Sequence, residues 1–429
     1  MQYARRIMNW SLVFWVLCFE SLSLGLMSFY FYISLAAIIT QVLFLFHIYS
    51  NYHYALAKYK RKCRWYRPPV VLIVPCKGKD LAFQKNITSF FNQDYEGYLL
   101  WFVVADQADA AYGELCKLKE LLSAGSKALD IRVLVAGAAK SCSQKVHNLL
   151  YCFRKIPDDV EIMAFADSDV CVRSDWLSHL VYPLRKSKYG AATGHRWFVP
   201  RKNNLASLAL SAVNAKIVQL LGKSPFNQVW GGSMAVRADV FRRLGIDKIW
   251  EKALSDDASL GRAVKKAGLK VAFVPACLVA SYEFTTWPKQ LEFGRRQFLI
   301  TRISAPNIWW TGLACCLYSV LGLWAGTALA VYAALTGQKN LAIFIAVPVV
   351  FFIGQLIRAI LRQRMIAKLL PDDRPKMRMA AAVDILLFWL WSLLLLVFIV
   401  SSTFGRTITW RGVRYKLLGP AETLILGKY

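Results

Sequence analysis

Residues 161–169 read Glu-Ile-Met-Ala-Phe-Ala-Asp-Ser-Asp (EIMAFADSD), an apolar run that ends on two carboxylates one residue apart. The run is short and almost unbroken in apolar character, which suits a strand buried on both faces. Outward from it, three more runs share the pattern: Val70 to Pro75 (VVLIVP), Leu99 to Ala105 (LLWFVVA) and Ile131 to Ala136. Between them, Asp80 to Phe91 and Ala111 to Ser123 space their apolar residues as helices do. Strand, helix, strand in repetition predicts a parallel α/β sheet, and such a sheet holds ligands beyond the carboxyl ends of its strands. The residues to inspect are those that end each run: Lys77 and Gly78, then Asp106, then Asp167 and Asp169.

The chain has 429 residues, 56% of them hydrophobic, with 54 Lys and Arg against 26 Asp and Glu, a net charge of +28. That length exceeds what one core usually serves, and so apolar a composition excludes disorder and collagen. Runs of membrane length occur at Met27 to Ile48, Thr311 to Leu335, Leu341 to Ile357 and Ala380 to Ser401, with Trp10 to Phe19 as a further embedded segment rather than a removed signal peptide. The positive charge gathers beside these runs, at Lys58 to Arg67 and Arg358 to Arg378. Juxtamembrane clusters of this kind mark a cytosolic face and argue against nucleic acid as partner. The expected division is a membrane segment over 1–57, a cytosolic catalytic domain over 58–306, and membrane helices with a basic tail over 307–429. Ten cysteines without CxxC or zinc spacing point to a reducing compartment, where the sequon Asn86-Ile-Thr88 is inert.

Several motifs carry chemistry. Asp167 and Asp169 at a strand end can share a hard divalent cation and, through it, a diphosphate; a polar strand-to-loop cap would look the same. Asp106 is placed to accept from a base or ribose, or to form an Asx-turn. Lys145, in KSCSQKVHN (140–148), could meet phosphate. Asp256-Asp257 opens an amphipathic stretch, where acids suit a helix start and where one of two close carboxylates could serve as general base. The glycines of Trp230-Gly231-Gly232-Ser233 allow close backbone approach or a plain turn. Gly294-Arg295-Arg296-Gln297-Phe298 reads as a diphosphate clamp or a lipid-headgroup patch.

The order of these motifs resembles the family 2 inverting glycosyltransferases, most closely the ceramide glucosyltransferase group and its bacterial lipid-glycosylating, hopanoid-type relatives. The likeness covers about residues 68 to 305, and Ile408-Thr-Trp410-Arg411-Gly412-Val-Arg414-Tyr415 looks like that group's Trp-Arg…Arg-Tyr ending. It implies a Rossmann-like, GT-A type nucleotide-sugar domain with a parallel-rich sheet, flanked by N- and C-terminal transmembrane helices. It implies Asp257 as catalytic base, and Asp106, Lys145, Asp167, Arg295, Arg296 and Gln297 as donor contacts. Asp167 and Asp169 would hold Mn²⁺ or Mg²⁺, and Trp230, Gly232, Ser233 and Phe298 would lie on the acceptor side. One departure stands out: the family's closing (Gln/Arg)-x-x-Arg-Trp is replaced by Arg295-Arg296-Gln297-Phe298, so Arg296 or Gln297 stands for the arginine and Phe298 for the tryptophan.

The function expected is transfer of one sugar from UDP-glucose or UDP-GlcNAc to the hydroxyl of a membrane lipid, ceramide or hopanoid, at the cytosolic leaflet of a bacterial inner membrane or a Golgi membrane. A processive polysaccharide synthase needs more spans than four to five to build a channel. A transporter would show paired, interrupted hydrophobic halves. Ala380 to Ser401 contains Asp384 and precedes a basic tail (Arg406, Arg411, Arg414, Lys416). That segment is expected to be re-entrant or bent, with Asp384 turned toward the catalytic domain and the tail back on the cytosolic face.

Overall fold

The computed structural model describes residues 2–61, 63, 65–80 and 82–428, of which 2–28 and 428 as backbone only. The expected embedding of Trp10 to Phe19 concerns side chains outside the described residues.

Four strands form where the apolar runs predict them: β1 (Val70–Pro75), β2 (Tyr98–Val104), β3 (Ala128–Val135) and β4 (Ile162–Ala166). Successive side chains of a strand point to opposite faces. Val70, Leu72 and Val74 accordingly enter one core with Leu100, Phe102, Ile162 and Ala164. Val71 and Ile73 enter the other with Trp101, Val103, Met163 and Phe165. Helices cover both faces, including Phe83–Phe91 and Ala110–Leu122 on the first and Gln144–Phe153 on the second. Burying an apolar side chain of this size contributes ~1.5–3 kcal/mol, which is why a two-sided strand is written without polar interruptions.

Three further strands, β5 (Tyr189–Pro200), β6 (Ser233–Arg237) and β7 (Lys270–Glu283), complete a seven-stranded sheet of order β3-β2-β1-β4-β6-β5-β7. The sheet is α/β and largely parallel, as expected, with one correction. β6 runs antiparallel to both neighbours, β4 and β5. The basic tail forms a three-stranded antiparallel sheet, β8 (Thr407–Trp410), β9 (Val413–Gly419) and β10 (Glu422–Lys428). Ile408, Tyr415 and Leu417 anchor it to Leu254 and Leu299.

Among the described residues three helices are long and apolar enough to cross a membrane: Phe29–Tyr59, Pro306–Leu335 and Leu341–Leu369. Each runs beyond the expected boundaries because its polar or aromatic flank stays helical. The fourth expected run is broken into Arg378–Leu386 and Trp391–Ser401, bent by 89°. The chain divides into two units, residues 1–47 with 317–358, and residues 48–316 with 359–429. In the first, Tyr318 donates to the Ala37 carbonyl at 2.7 Å and Tyr30 stacks on Phe344. The sheets, the bent pair and every candidate site residue belong to the second.

Within that second unit Asp384 is fully buried, and its partners correct the expectation. Rather than turning toward the catalytic domain, it accepts from Arg362 Nε and Gln363 Nε2, each at 2.6 Å. Removing one partner of such a pair strands a charge, whereas replacing both by apolar groups is nearly neutral. Asp384→Ala should therefore cost about 3–5 kcal/mol. An Arg362→Met, Asp384→Leu double variant should melt close to wild type in detergent. Equal losses in the two would mean that the carboxylate matters for something beyond pairing.

Candidate active site

β1, β2 and β4 are parallel neighbours, so their carboxyl ends share one edge of the sheet. Onto that edge the chain brings Lys77, Gly78, Asp106, Asp167 and Asp169. Gly78 takes a positive φ of 64° and donates its N–H to Asp109 Oδ1 at 2.8 Å, tying the loop after β1 to the one after β2. Asp106 accepts from the Ala108 N–H at 3.0 Å, an Asx-turn on an exposed loop.

Lys145 stands in the first turn of its helix, whose start Ser143 caps. Its ammonium lies 2.7 Å from Asp167 Oδ1 and 3.0 Å from Asp256 Oδ2, joining the end of β4 to the start of the Asp256–Lys266 helix. Burial disfavours the ammonium, but Asp167, Asp256 and Asp257 outweigh it and raise the Lys145 pKa. Arg196, from β5, reaches Asp167 at 3.2 Å and Asp169 at 3.6 Å. Burial opposes ionisation of Asp167, yet Lys145 and Arg196 prevail and hold its carboxyl below the usual range. Asp169 goes the other way: burial raises it, Arg196 only partly offsets this, and Asp167 and Asp80 add to the rise.

Asp80 joins this group by accepting from Ser168 Oγ at 3.2 Å and from Arg411 Nη1 at 3.2 Å. Arg411 sits with Gly412 in the two-residue turn between β8 and β9, at φ 50° and 77°. Such hairpin turns favour Asn or Gly at their first central position, so an arginine there is strained. Lys77 Nζ holds the Arg411 carbonyl at 2.5 Å. Burial opposes protonation of Arg411, but Asp80 and Asp169 raise its pKa.

Asp256 and Asp257 have separate surroundings. Ser255 caps the helix they open. Asp257, partly accessible, accepts from the Gly231 N–H at 2.9 Å, the Ala258 N–H at 2.7 Å and the Ser255 hydroxyl. The Asp256 side chain is 3% exposed, and burial pushes its carboxyl up to about 6, against Lys145 and with Asp257 and Asp167. Gly231 and Gly232 are required by close approach. A Cβ on Gly231 would fall 2.5 Å from Asp256 Oδ2, and one on Gly232 would fall 2.1 Å from the Trp230 ring and 2.8 Å from Asp167 Oδ2. Trp230 stacks on His195, whose pKa burial pushes down to about 4, and lies under the Arg196 guanidinium.

The remaining expected residues separate. Ser233 is fully buried, accepting from Trp176 Nε1 and donating to the Cys277 carbonyl, so it is a core residue rather than an acceptor contact. Phe298 packs in an apolar cluster with Ala209, Trp391 and Phe398. Arg295 donates to the carbonyls of Ser401 and Phe404 at the end of a helix, which takes it out of a diphosphate clamp. Gln297 is exposed. Arg296 alone of that segment feels the site: burial lowers its pKa, and Arg196 and Arg411 lower it further. Sequence reading missed Arg196, Asp80 and His195, which carry no motif.

Among the described residues no group of three or more His, Cys, Asp or Glu side chains is gathered around one metal position. The pair Asp167 and Asp169 nevertheless fits a hard cation, because Asp169 Oδ1 is buried without a hydrogen-bond partner.

The raised Asp256 carboxyl has a signed consequence. A raised acid binds its proton more tightly folded than unfolded, so its stabilising contribution is complete below about pH 4 and is lost as pH rises through about 6. The melting temperature of wild type minus that of Asp256→Asn should fall between about pH 4 and pH 6 and flatten above it. A difference that does not move with pH would contradict the assignment.

Comparison with known proteins adds the family. The sequence model of glycosyl transferase family 21 matches residues 30–421. Among solved structures the chain is similar to a mannosyltransferase from Pyrobaculum calidifontis in complex with GDP-Man and Mn²⁺, at 16% identity and TM-score 0.42, covering 86% of this chain and 96% of that one. It is also similar to GalNAc-T7 with UDP, GalNAc and Mn²⁺, at 13% identity and TM-score 0.37, covering 56% and 51%. No curated protein matches. With its family model spanning all but the two ends, the chain belongs to glycosyl transferase family 21 and is a glycosyltransferase.

Proposed function

We propose that the chain moves a single sugar from a UDP-sugar, UDP-glucose or UDP-GlcNAc, to the hydroxyl of a membrane lipid such as ceramide or a hopanoid, with inversion. The domain over residues 58–306 works at the cytosolic face of a multi-pass membrane protein. The reading rests on one observation: Lys145, Arg196 and Arg411 converge on strand-end carboxylates while a partly accessible Asp257 stands across Gly231 from them.

In this reading Asp257 takes the proton of the lipid hydroxyl as its oxygen attacks the anomeric carbon. The bond from that carbon to the diphosphate breaks on the opposite side. The two backbone N–H groups and the Ser255 hydroxyl that donate to Asp257 fix its orientation. Lys145, Arg196 and Arg411 meet the charge that gathers on the leaving diphosphate. Asp167 and Asp169 would hold a divalent cation, Mn²⁺ or Mg²⁺, which when bound supplies further positive charge to the same group. Trp230, its ring held by contacts with His195 and Arg196, offers an apolar edge to the sugar or the lipid. Asp106 lies at the end of β2 for the nucleoside.

Asp257→Asn should lower transfer ~10²- to 10⁴-fold while UDP still binds, since a base acts in the transition state and adds little to donor affinity. Asp169→Ala should weaken cation and UDP binding together. UDP release measured with lipid extract, alongside UDP calorimetry, separates the two. Turnover close to wild type in Asp257→Asn would move the base to another group.

Arg411→Gly separates fold from chemistry. It relaxes a positive φ and removes a charge-assisted contact, so the melting temperature should hold or rise while the donor KM rises roughly tenfold or more. A fall in stability at unchanged KM would make Arg411 a structural residue only.

A further inference from the structure

Away from the carboxylates, a cavity of about 680 Å³ opens between the end of the Trp287–Ser304 helix, the turn after Trp391–Ser401, and β9. Arg302, Arg406 and Lys416 line it, with Thr403, Phe404 and Thr407. Its size is that of a ligand site. Among the described residues none of these three cations forms an ion pair with an acid. Arg302 donates to the Gly405 carbonyl and Arg406 to the Leu418 carbonyl at 2.8 Å, which fixes their heads, while Lys416 is exposed. Three like charges held together without a counterion are costly, and an anion relieves that cost.

The position of the cavity along the chain names the anion's source. Arg302 precedes by four residues the helix Pro306–Leu335, long and apolar enough to cross a membrane. Thr403 and Phe404 follow the Ser402 cap of the apolar helix Trp391–Ser401. Phe404 is 78% exposed and Trp310 63%, side chains that suit the headgroup layer. A cationic recess lined by the exposed Phe404, and continuous in the chain with apolar helices of which one carries the exposed Trp310, matches a phosphodiester whose acyl chains lie beside it. We infer that this recess binds the phosphate of an anionic phospholipid, which anchors the tail sheet to the membrane surface. The site takes no part in sugar transfer, and the inference stands whether or not the donor and acceptor proposed above are right.

The test uses the purified full chain in neutral detergent, with melting temperature as readout. Dioctanoyl phosphatidylglycerol should raise it saturably, while dioctanoyl phosphatidylcholine and inorganic phosphate at equal concentration should not. Lys416→Glu should raise the half-saturating phosphatidylglycerol concentration about tenfold or more, each surface cation contributing about 1 kcal/mol to anionic-lipid attraction. UDP binding should be unchanged and certifies the fold; should that variant not fold, Arg406→Gln takes its place. Equal response to both lipids, or a half-saturation unmoved by the substitution, overturns the inference. Stabilisation by inorganic phosphate matching that by phosphatidylglycerol overturns it in favour of a free-phosphate site.

Discussion

A single ammonium holds the site's two halves together. Lys145 touches Asp167 at the end of β4 and Asp256 at the start of the Asp256–Lys266 helix, and without it Asp256 would have no cationic partner and Asp167 only Arg196. Burying like charges within a few ångströms is among the most expensive arrangements a protein can make. The surrounding backbone is shaped by that requirement. Gly231 and Gly232 leave no room for side chains because the carboxylates, Lys145 and the Trp230 ring fill that space. Arg196 and Arg411 extend the same compensation to Asp169 and Asp80.

The parts legible in the sequence were those in which one requirement dominates. β1, β2 and β4 are buried on both faces, so composition alone marks them, and the acids that end them stand out by contrast. The Asp256-Asp257 pair was legible because acids at a helix start are locally favoured. β5 and β7 were not: β5 interrupts its apolar run with Gly194, His195 and Arg196, and β7 contains Pro275. In the structure the two strands skip register between Thr193 and His195, and Gly194 passes so close to the Cys277 carbonyl that a Cβ would fall 1.9 Å away. Arg196 lies just past this irregularity, where no local pattern announces a functional side chain.

The same reasoning explains why Arg295 and Phe298 left the site and Arg296 stayed near it. All lie on one helix, and successive residues of a helix point about 100° apart. Phe298 turns into an apolar cluster, Arg295 to the carbonyls that close a neighbouring helix, and Arg296 toward the Thr409 carbonyl of the tail sheet. The motif suggested one continuous clamp, but helical geometry distributes its members to different tasks. Arg411 of the tail supplies the cation that the helix does not.

The tail's contribution has a kinetic side. Arg411 and Asp80 are separated by 331 residues, and Lys77 and the Arg411 carbonyl by 334. Contacts that close loops of this length pay their chain entropy before any compensating gain, so they form late. Asp80 thus depends for its guanidinium partner on the far end of the chain, whereas Asp167 and Asp169 also have Arg196 from within the main sheet. The hairpin turn that carries Arg411 therefore completes a cluster whose other members the main sheet and its loops already assemble.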